Sequence, residues 1–155
     1  MKIVFRNTLG LDYGIVYRAL LLLVIFFLPI GYIHESGHAL GCLYGEGKYL
    51  ISFSITGEQS TICSGNINDE FLYHFAGGSL AAAVSAIPLV FWNRLPPYVK
   101  IISLSFAIGQ GLNGFVESVF YESYITQSKL WSIVFAEVGL ALFFGLVMKY
   151  ARIKK

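Results

Sequence analysis

The chain has 155 residues, of which 56% are hydrophobic and only 13% are charged. A soluble globular domain carries about a quarter charged residues, so this composition excludes an ordinary soluble domain and indicates a membrane protein. The 13 Phe, 10 Tyr and 2 Trp exclude a disordered chain, and a net charge of +2 without a basic stripe excludes nucleic acid as a partner.

Apolar runs long enough to cross a bilayer as helices, about 20 residues each, occur four times along the chain. The predicted spans are residues 14–34, 71–92, 99–120 and 130–149. Polar links at residues 93–97 and 122–129 separate the second, third and fourth spans. The sequence therefore predicts an all-α membrane protein, organised as a single membrane-embedded domain over residues 1–155.

The segment between the first two spans has a different pattern. Residues 49–55 alternate in polarity and are rich in strand formers, and Thr56-Gly57-Glu58 provides a turn toward residues 59–63. This pattern predicts a small β-hairpin over residues 48–64. Because unpaired strand edges are not tolerated in lipid, the hairpin must pair its own backbone or lie at the interface.

The cations are distributed unevenly across this map. Nine of them share one side of the bilayer: Lys2, Arg6, Arg18, Arg94, Lys100, Lys149, Arg152, Lys154 and Lys155. Only Lys48 and Lys129 fall on the other side, so the positive-inside rule predicts cytoplasmic termini and an outer hairpin. The alternative for the first span is a secretory signal peptide, which would need an unusually long leader and a poor cleavage site.

The end of the first span carries the pattern His34-Glu35-Ser36-Gly37-His38. Histidines at i and i+4 project from one face of a helix and can hold a single Zn²⁺, while Glu35 can take a proton from water there. A central acid or base in a spanning helix costs about 2.5 to 3.5 kcal/mol, and less near the boundary, which favours a functional role. The alternative is an interfacial polar cap, which would not require this spacing.

These residues resemble the site-2 protease family of intramembrane zinc metallopeptidases, through the sequence from His34 to Leu40 and the hairpin after it. Residues 76–81, Ala-Gly-Gly-Ser-Leu-Ala, are similar to that family's Ala-Gly-Pro-containing helix, whose small residues let helices approach closely. The family's third element is a helix bearing Asp-Gly, whose aspartate completes the metal site. This chain has Asn113-Gly114 at that place.

The resemblance covers roughly residues 29–120, and it implies a minimal, four-span zinc metalloprotease. Its substrate would be a transmembrane or membrane-proximal segment of another protein, and its surroundings the lipid bilayer. The family mostly places the zinc toward the cytoplasmic side, whereas the cations of this chain place it toward the outer side.

The alternative to a protease is a non-catalytic membrane protein, either a degenerate relative or an accessory subunit of a complex. A proton or ion carrier is a third reading, disfavoured by four short spans without inverted repeats.

The third metal ligand is predicted from a polar stripe on the third span. Gln110, Asn113 and Glu117 stand at i, i+3 and i+7 on an otherwise apolar helix. An amide is a weak ligand for catalytic zinc, whereas an intramembrane carboxylate needs a partner such as a metal. Glu117 is therefore the predicted third ligand, with Asn113 as an outer donor or substrate clamp. Interhelical hydrogen bonding by the stripe is the alternative.

Other polar side chains have predicted places near this site. In the four-span topology His74 shares the layer of His34, His38 and Glu117, which makes it a reserve ligand, although a lone interfacial histidine is more often solvated. Glu137 in the fourth span is expected to pair with the stripe or a ligand histidine, or to form an interhelical hydrogen bond when protonated.

Two further residues, Cys42 and Cys63, would lie outside, where a disulfide can form. Free, buried cysteines are the expected state.

Overall fold

The structure is a computed structural model that describes residues 10–53, 59–65 and 67–152. Its elements are α1 (Tyr13–Tyr44), β1 (Lys48–Phe53), β2 (Gln59–Ser64), α2 (Glu70–Ala86), a 3-10 helix (Ile87–Arg94), α3 (Pro97–Val119), α4 (Tyr121–Thr126) and α5 (Ser128–Tyr150). The predicted architecture is confirmed, because four long apolar helices are present and a two-stranded antiparallel sheet lies between the first two. The predicted turn, residues 56–58, lies outside the described residues.

Four helical segments are long and apolar enough to cross a membrane. They are Tyr13–Tyr44, Glu70–Arg94, Pro97–Val119 and Ile133–Tyr150. Large apolar side chains point away from the bundle, among them Val24, Phe27 and Val90, which are 73%, 62% and 80% exposed. Such faces are unfavourable in water and suited to lipid. The chain is accordingly a multi-pass membrane protein.

The first helix is longer than its predicted span. It begins after Asp12, whose carboxylate accepts hydrogen bonds from the backbone N–H groups of Gly14 and Ile15, as a helix N-cap does. It then continues to Tyr44, past the predicted end at residue 34. The polar residues near that point have partners on other elements, so they do not end the helix.

Two connections also differ from expectation. The second span changes at Ile87 from an α-helix to a 3-10 helix, with Pro88 in its first turn. The sequence predicts a polar turn over residues 122–129, whereas the short helix α4 fills most of this link and α5 follows almost directly. No glycine or proline interrupts this segment, so nothing local prevents it from forming a helical turn.

The apolar core and several cations occupy the end of the bundle where α3 begins and α5 ends. The core residues there are Leu11, Ala19, Ile101, Ile102, Phe143, Val147 and Ala151. Arg18 lies over the Tyr98 ring at 5.6 Å, and Lys100 lies over the Trp92 ring at 4.7 Å. Cations beside aromatic rings are typical of a membrane interface. The histidine motif lies toward the other end of α1.

Glycines bring α1, α2 and α3 close together at the histidine end. Gly78 of α2 lies against Gly114 of α3, where an added methyl group on either residue would overlap the other backbone. Gly77, one residue earlier, lies against the imidazole of His38. The small residues of the 76–81 segment therefore act as predicted, because they let the three helices approach closely.

The hairpin is fastened to α1 by a disulfide. Tyr49 of β1 pairs with Cys63 of β2, and Cys63 is bonded to Cys42 in the last part of α1. The expectation of free cysteines was wrong, because the hairpin folds back along α1 and brings the two residues to a Cα separation of 5.7 Å, which is within the range of a disulfide.

Candidate metal centre

The two motif histidines share one face of α1 and are both buried. His34 and His38 are 7% and 5% exposed, and their Nε2 atoms are 3.1 Å apart. The spacing of four residues places them one turn apart, as the motif predicts. The described helix is continuous through both residues, so their backbone positions are rigidly related.

The outer nitrogen of each imidazole has an acceptor. Nδ1 of His34 is 2.8 Å from Oε1 of Gln110 on α3, and Nδ1 of His38 is 2.9 Å from the backbone oxygen of Tyr73 on α2. Neither oxygen can donate, so each Nδ1 carries a proton and donates it. In the neutral imidazoles both Nε2 atoms then present lone pairs toward one point, as metal-ligating histidines do.

Glu117 of α3 completes this group. Its Oε2 is 3.4 Å from Nε2 of His34, and its Oε1 is 3.3 Å from Nε2 of His38. The residue is 8% exposed, and its Oε2 is a buried oxygen with no hydrogen-bond donor among the described residues. A buried carboxylate beside two lone pairs is unfavourable without a positive charge between them.

One ligand atom from each of the three residues lies close enough to the others to share one metal ion. Ligands at about 2.0 to 2.2 Å from one ion stand about 3.3 to 3.6 Å apart at the tetrahedral angle. The two Nε2 atoms are slightly closer than this, at 3.1 Å, and they lie 3.4 and 3.3 Å from different oxygens of Glu117. With one ligand atom taken from each residue, all three atoms lie within 4.8 Å of one another. His34, His38 and Glu117 are therefore a buried group that could hold a metal ion, and its two nitrogens and one oxygen are a donor set that suits zinc.

His74 also contacts the Glu117 carboxylate. Its Nδ1 is 3.5 Å from Oε1 of Glu117, and its ring stacks on Tyr121 of α4 at a centroid distance of 5.6 Å. The structure thus brings the predicted reserve ligand to the site, where it lies beside the three-residue group. The short helix α4 covers this side of the site through the Tyr121 ring.

The three residues of the polar stripe on α3 make different contacts. Gln110 holds His34 and Glu117 joins the ligand group, whereas Asn113 keeps a buried Oδ1 without a hydrogen-bond partner among the described residues. The Asn113 side chain also lies near the phenol of Tyr124 on α4. Burial, followed by the charges of Glu117 and Glu35, raises the pKa of Tyr124, so the phenol stays protonated at neutral pH.

Glu137 lies outside the group formed by His34, His38 and Glu117. It is on an exposed face of α5 and is not part of the ligand group found among the described residues. Its predicted pairing with a ligand histidine or with the stripe is not among the contacts of the described structure. The carboxylate that reaches the histidines is that of Glu117.

Glu35 is held by the hairpin. The residue is 9% exposed, and Oγ1 of Thr61 on β2 lies 2.8 Å from its Oε2 and 2.9 Å from its backbone oxygen. The hydroxyl donates to these acceptors, since neither carries a proton when Glu35 is ionised. The Glu35 side chain is therefore fixed by a residue of the strand rather than by another helix.

A cavity of about 460 Å³ lies beside the site, between α1, α3 and α5. Its walls are apolar, with Leu23, Phe27 and Phe143 among them, and Gln110 and Asn113 form its polar side. Because Gln110 also contacts His34, the cavity adjoins the ligand group.

Sequence reasoning missed the residues that hold the site from outside. Thr61 and Tyr73 bond Glu35 and His38, yet neither belongs to a motif. The available signal for Thr61 was the alternation of β2, which puts it on the same face as Cys63. The contact of Tyr73 is made by its backbone oxygen, which carries no sequence signal.

The chain was compared with known proteins at three levels. No protein-family model matches the sequence, and comparisons with curated proteins and with solved structures give no match either.

Proposed function

We propose that this protein is a membrane-embedded zinc endopeptidase of the site-2 protease type, which cleaves a transmembrane or membrane-proximal segment of a protein substrate. One observation carries the proposal: ligand atoms of His34, His38 and Glu117 lie within 4.8 Å of one another in a buried group, and the buried Glu35 follows His34 on the same helix. A structural metal site would not need a buried carboxylate next to its ligands, whereas hydrolysis needs a base there.

The residues present divide the work of peptide hydrolysis. Zinc, when bound, polarises the substrate carbonyl and lowers the pKa of water. Glu35 accepts the proton of the attacking water and then donates it to the leaving amine. Gln110 and the Tyr73 backbone keep the two imidazoles oriented and in one tautomer, which strengthens both histidines as ligands.

Glu117 takes the part that aspartate has in the family. The helix that bears Asn113-Gly114 presents Glu117 one turn later, and the longer side chain reaches both Nε2 atoms. A carboxylate supplies the negative charge that an amide lacks. The substitution at Asn113 is therefore compatible with a complete three-ligand site.

Two features support a membrane segment as the substrate. The cavity between α1, α3 and α5 is apolar and adjoins His34 through Gln110, so it can receive apolar side chains next to the metal. The strand β1 pairs only with β2 among the described elements. Its second edge can accept an extended substrate backbone as an added strand.

Two independent properties support the proposed orientation in the membrane. Among the described cations, Arg18, Arg94 and Lys100 lie at the end of the bundle away from the proposed metal ligands, and the positive-inside rule assigns such an end to the cytoplasm. The Cys42–Cys63 disulfide lies at the other end, and disulfides persist in oxidising compartments. Both properties support cytoplasmic termini and a site near the outer surface.

The proposal is tested with purified protein in bicelles and a pool of synthetic transmembrane peptides, with cleavage detected by mass spectrometry. Wild type should carry zinc and cleave members of the pool. Glu35→Gln should keep its zinc and lose cleavage by about 10²-fold to 10⁴-fold. Glu122→Gln, a matched change at an exposed acid, should keep both zinc and cleavage. Zinc-loaded wild type that cleaves nothing would instead support the non-catalytic alternative.

A further inference from the structure

Thr61 makes two bonds to a single residue of α1. Its Oγ1 lies 2.8 Å from Oε2 and 2.9 Å from the backbone oxygen of Glu35. A hydroxyl has one proton to donate, and both acceptors belong to Glu35, so the contact persists whichever of them receives it. The face of β2 that carries Thr61 is turned toward α1, since residues along β2 alternate between half-buried and exposed.

Thr61 is itself fixed in place. The Tyr73 hydroxyl donates to its backbone oxygen at 3.4 Å, and Cys63, two residues later on the same face of β2, is bonded to Cys42. The β-branched side chain of threonine also has a restricted χ1 angle. The hydroxyl is therefore a rigid donor, held between α1 and α2.

A general base works only if its reactive oxygen is aimed at the proton. The glutamate side chain has three rotatable bonds, and a loss of about 1 Å in placement can reduce a rate by about 10²-fold. A donor on Oε2 fixes the carboxylate and leaves Oε1 to accept the proton from water. No proton leaves Thr61 in this scheme, so the hydroxyl orients the base without taking part in the transfer.

We propose that Thr61 is the positioning residue for Glu35, so that the hairpin supplies a component of the active site. This inference rests on the proposed function. It predicts that removal of the Thr61 hydroxyl slows the chemical step, leaves substrate binding unchanged and does not disturb the metal ligands, none of which Thr61 contacts among the described hydrogen bonds.

The test compares Thr61→Val, which keeps the side-chain shape, with Thr61→Ser, which keeps the hydroxyl. Ser60→Ala is the matched control, because it removes a hydroxyl from the exposed face of the same strand, where Ser60 bonds Ser52. With the most rapidly cleaved peptide of the pool, Thr61→Val should lower kcat by about 10-fold to 100-fold, with KM and zinc content unchanged. Thr61→Ser should recover most of kcat, and Ser60→Ala should match wild type.

A second readout does not depend on activity. In zinc-loaded protein, Thr61→Val should lower the thermal midpoint by about 2 to 4 °C more when Glu35 is present than in a Glu35→Ala background. That difference measures the bond between the two side chains. Equal shifts in both backgrounds would show that the bond is not made, and would overturn the inference while leaving the peptidase proposal intact.

The kinetic measurements also distinguish failure of this inference from failure of the proposed function. An active wild type together with a fully active Thr61→Val, or a Thr61→Ser no better than Thr61→Val, overturns the inference alone. A zinc-loaded wild type that cleaves no peptide overturns the proposed function, and the role of Thr61 falls with it.

Discussion

Gly77 of α2 lies directly against the imidazole of His38, so that a methyl group at this position would overlap the ring. The glycine therefore makes room for the imidazole of a proposed metal ligand, in addition to letting two helices approach. Its neighbour Gly78 lies against the backbone of Gly114 of α3. Small residues on α2 thus set the distance between the helix that carries the histidines and the helix that carries Glu117.

Replacement of Gly77 by alanine should disturb the site from a residue that binds no metal. Overpacking typically costs about 1 to 3 kcal/mol, and displacement of His38 should lower zinc affinity by about 10-fold or more. Isothermal titration with zinc in detergent measures this change. Gly139→Ala is the control, because a methyl group there meets no atom within 4 Å; equal affinities in the two variants would contradict the prediction.

Gln110 is expected to tune the metal site through His34. Its Oε1 accepts from Nδ1 at 2.8 Å, and loss of such an outer partner typically costs about 10-fold to 100-fold in metal affinity. Gln110→Met removes the acceptor with little change in volume, and competition with a chelator gives the zinc dissociation constant. Leu112→Met, at an exposed position of the same helix, should retain wild-type affinity. Unchanged affinity in Gln110→Met would show that the bond does not orient His34.

The disulfide should contribute to stability through the hairpin. The bond closes a loop with a sequence separation of 21 residues, for which the chain-entropy relation gives about 3 kcal/mol. The Cys42→Ser, Cys63→Ser double variant should therefore unfold at a lower denaturant concentration than wild type. A reducing agent should lower the wild-type midpoint and leave that of the double variant unchanged. A midpoint that is insensitive to reduction in wild type would contradict this.

Much of the fold could be predicted because the bilayer simplifies the pattern. Apolar runs of spanning length identify the four helices, and alternation over residues 49–55 identifies the first strand. The end of α1 could not be predicted, because it depends on partners: His34 and Glu35 stay helical while bonded to Gln110 and Thr61 from other elements. Local polarity alone would end the helix there.

The candidate site could also be predicted only in part, because some of its contacts depend on the packing of other elements. His34, His38 and Glu117 came from helical spacing and from a shared depth in the membrane, which are properties of single helices. Thr61 required the packing of β2 on α1, and the disulfide required the hairpin register that pairs Tyr49 with Cys63. Glu137 shows the limit of the sequence pattern, since an acid in an apolar span can be exposed and lie outside the ligand group.

The metal ligands are the central claim, and zinc content with X-ray absorption measures them most directly. Protein purified in detergent should hold one zinc ion per chain, with nitrogen and oxygen ligands at about 2.0 to 2.2 Å. His38→Ala and Glu117→Gln should each lose most of this zinc, while Glu137→Gln, a matched change outside the ligand group, should keep it. Folded wild type without zinc, or a Glu117→Gln variant with wild-type zinc content, would contradict the account.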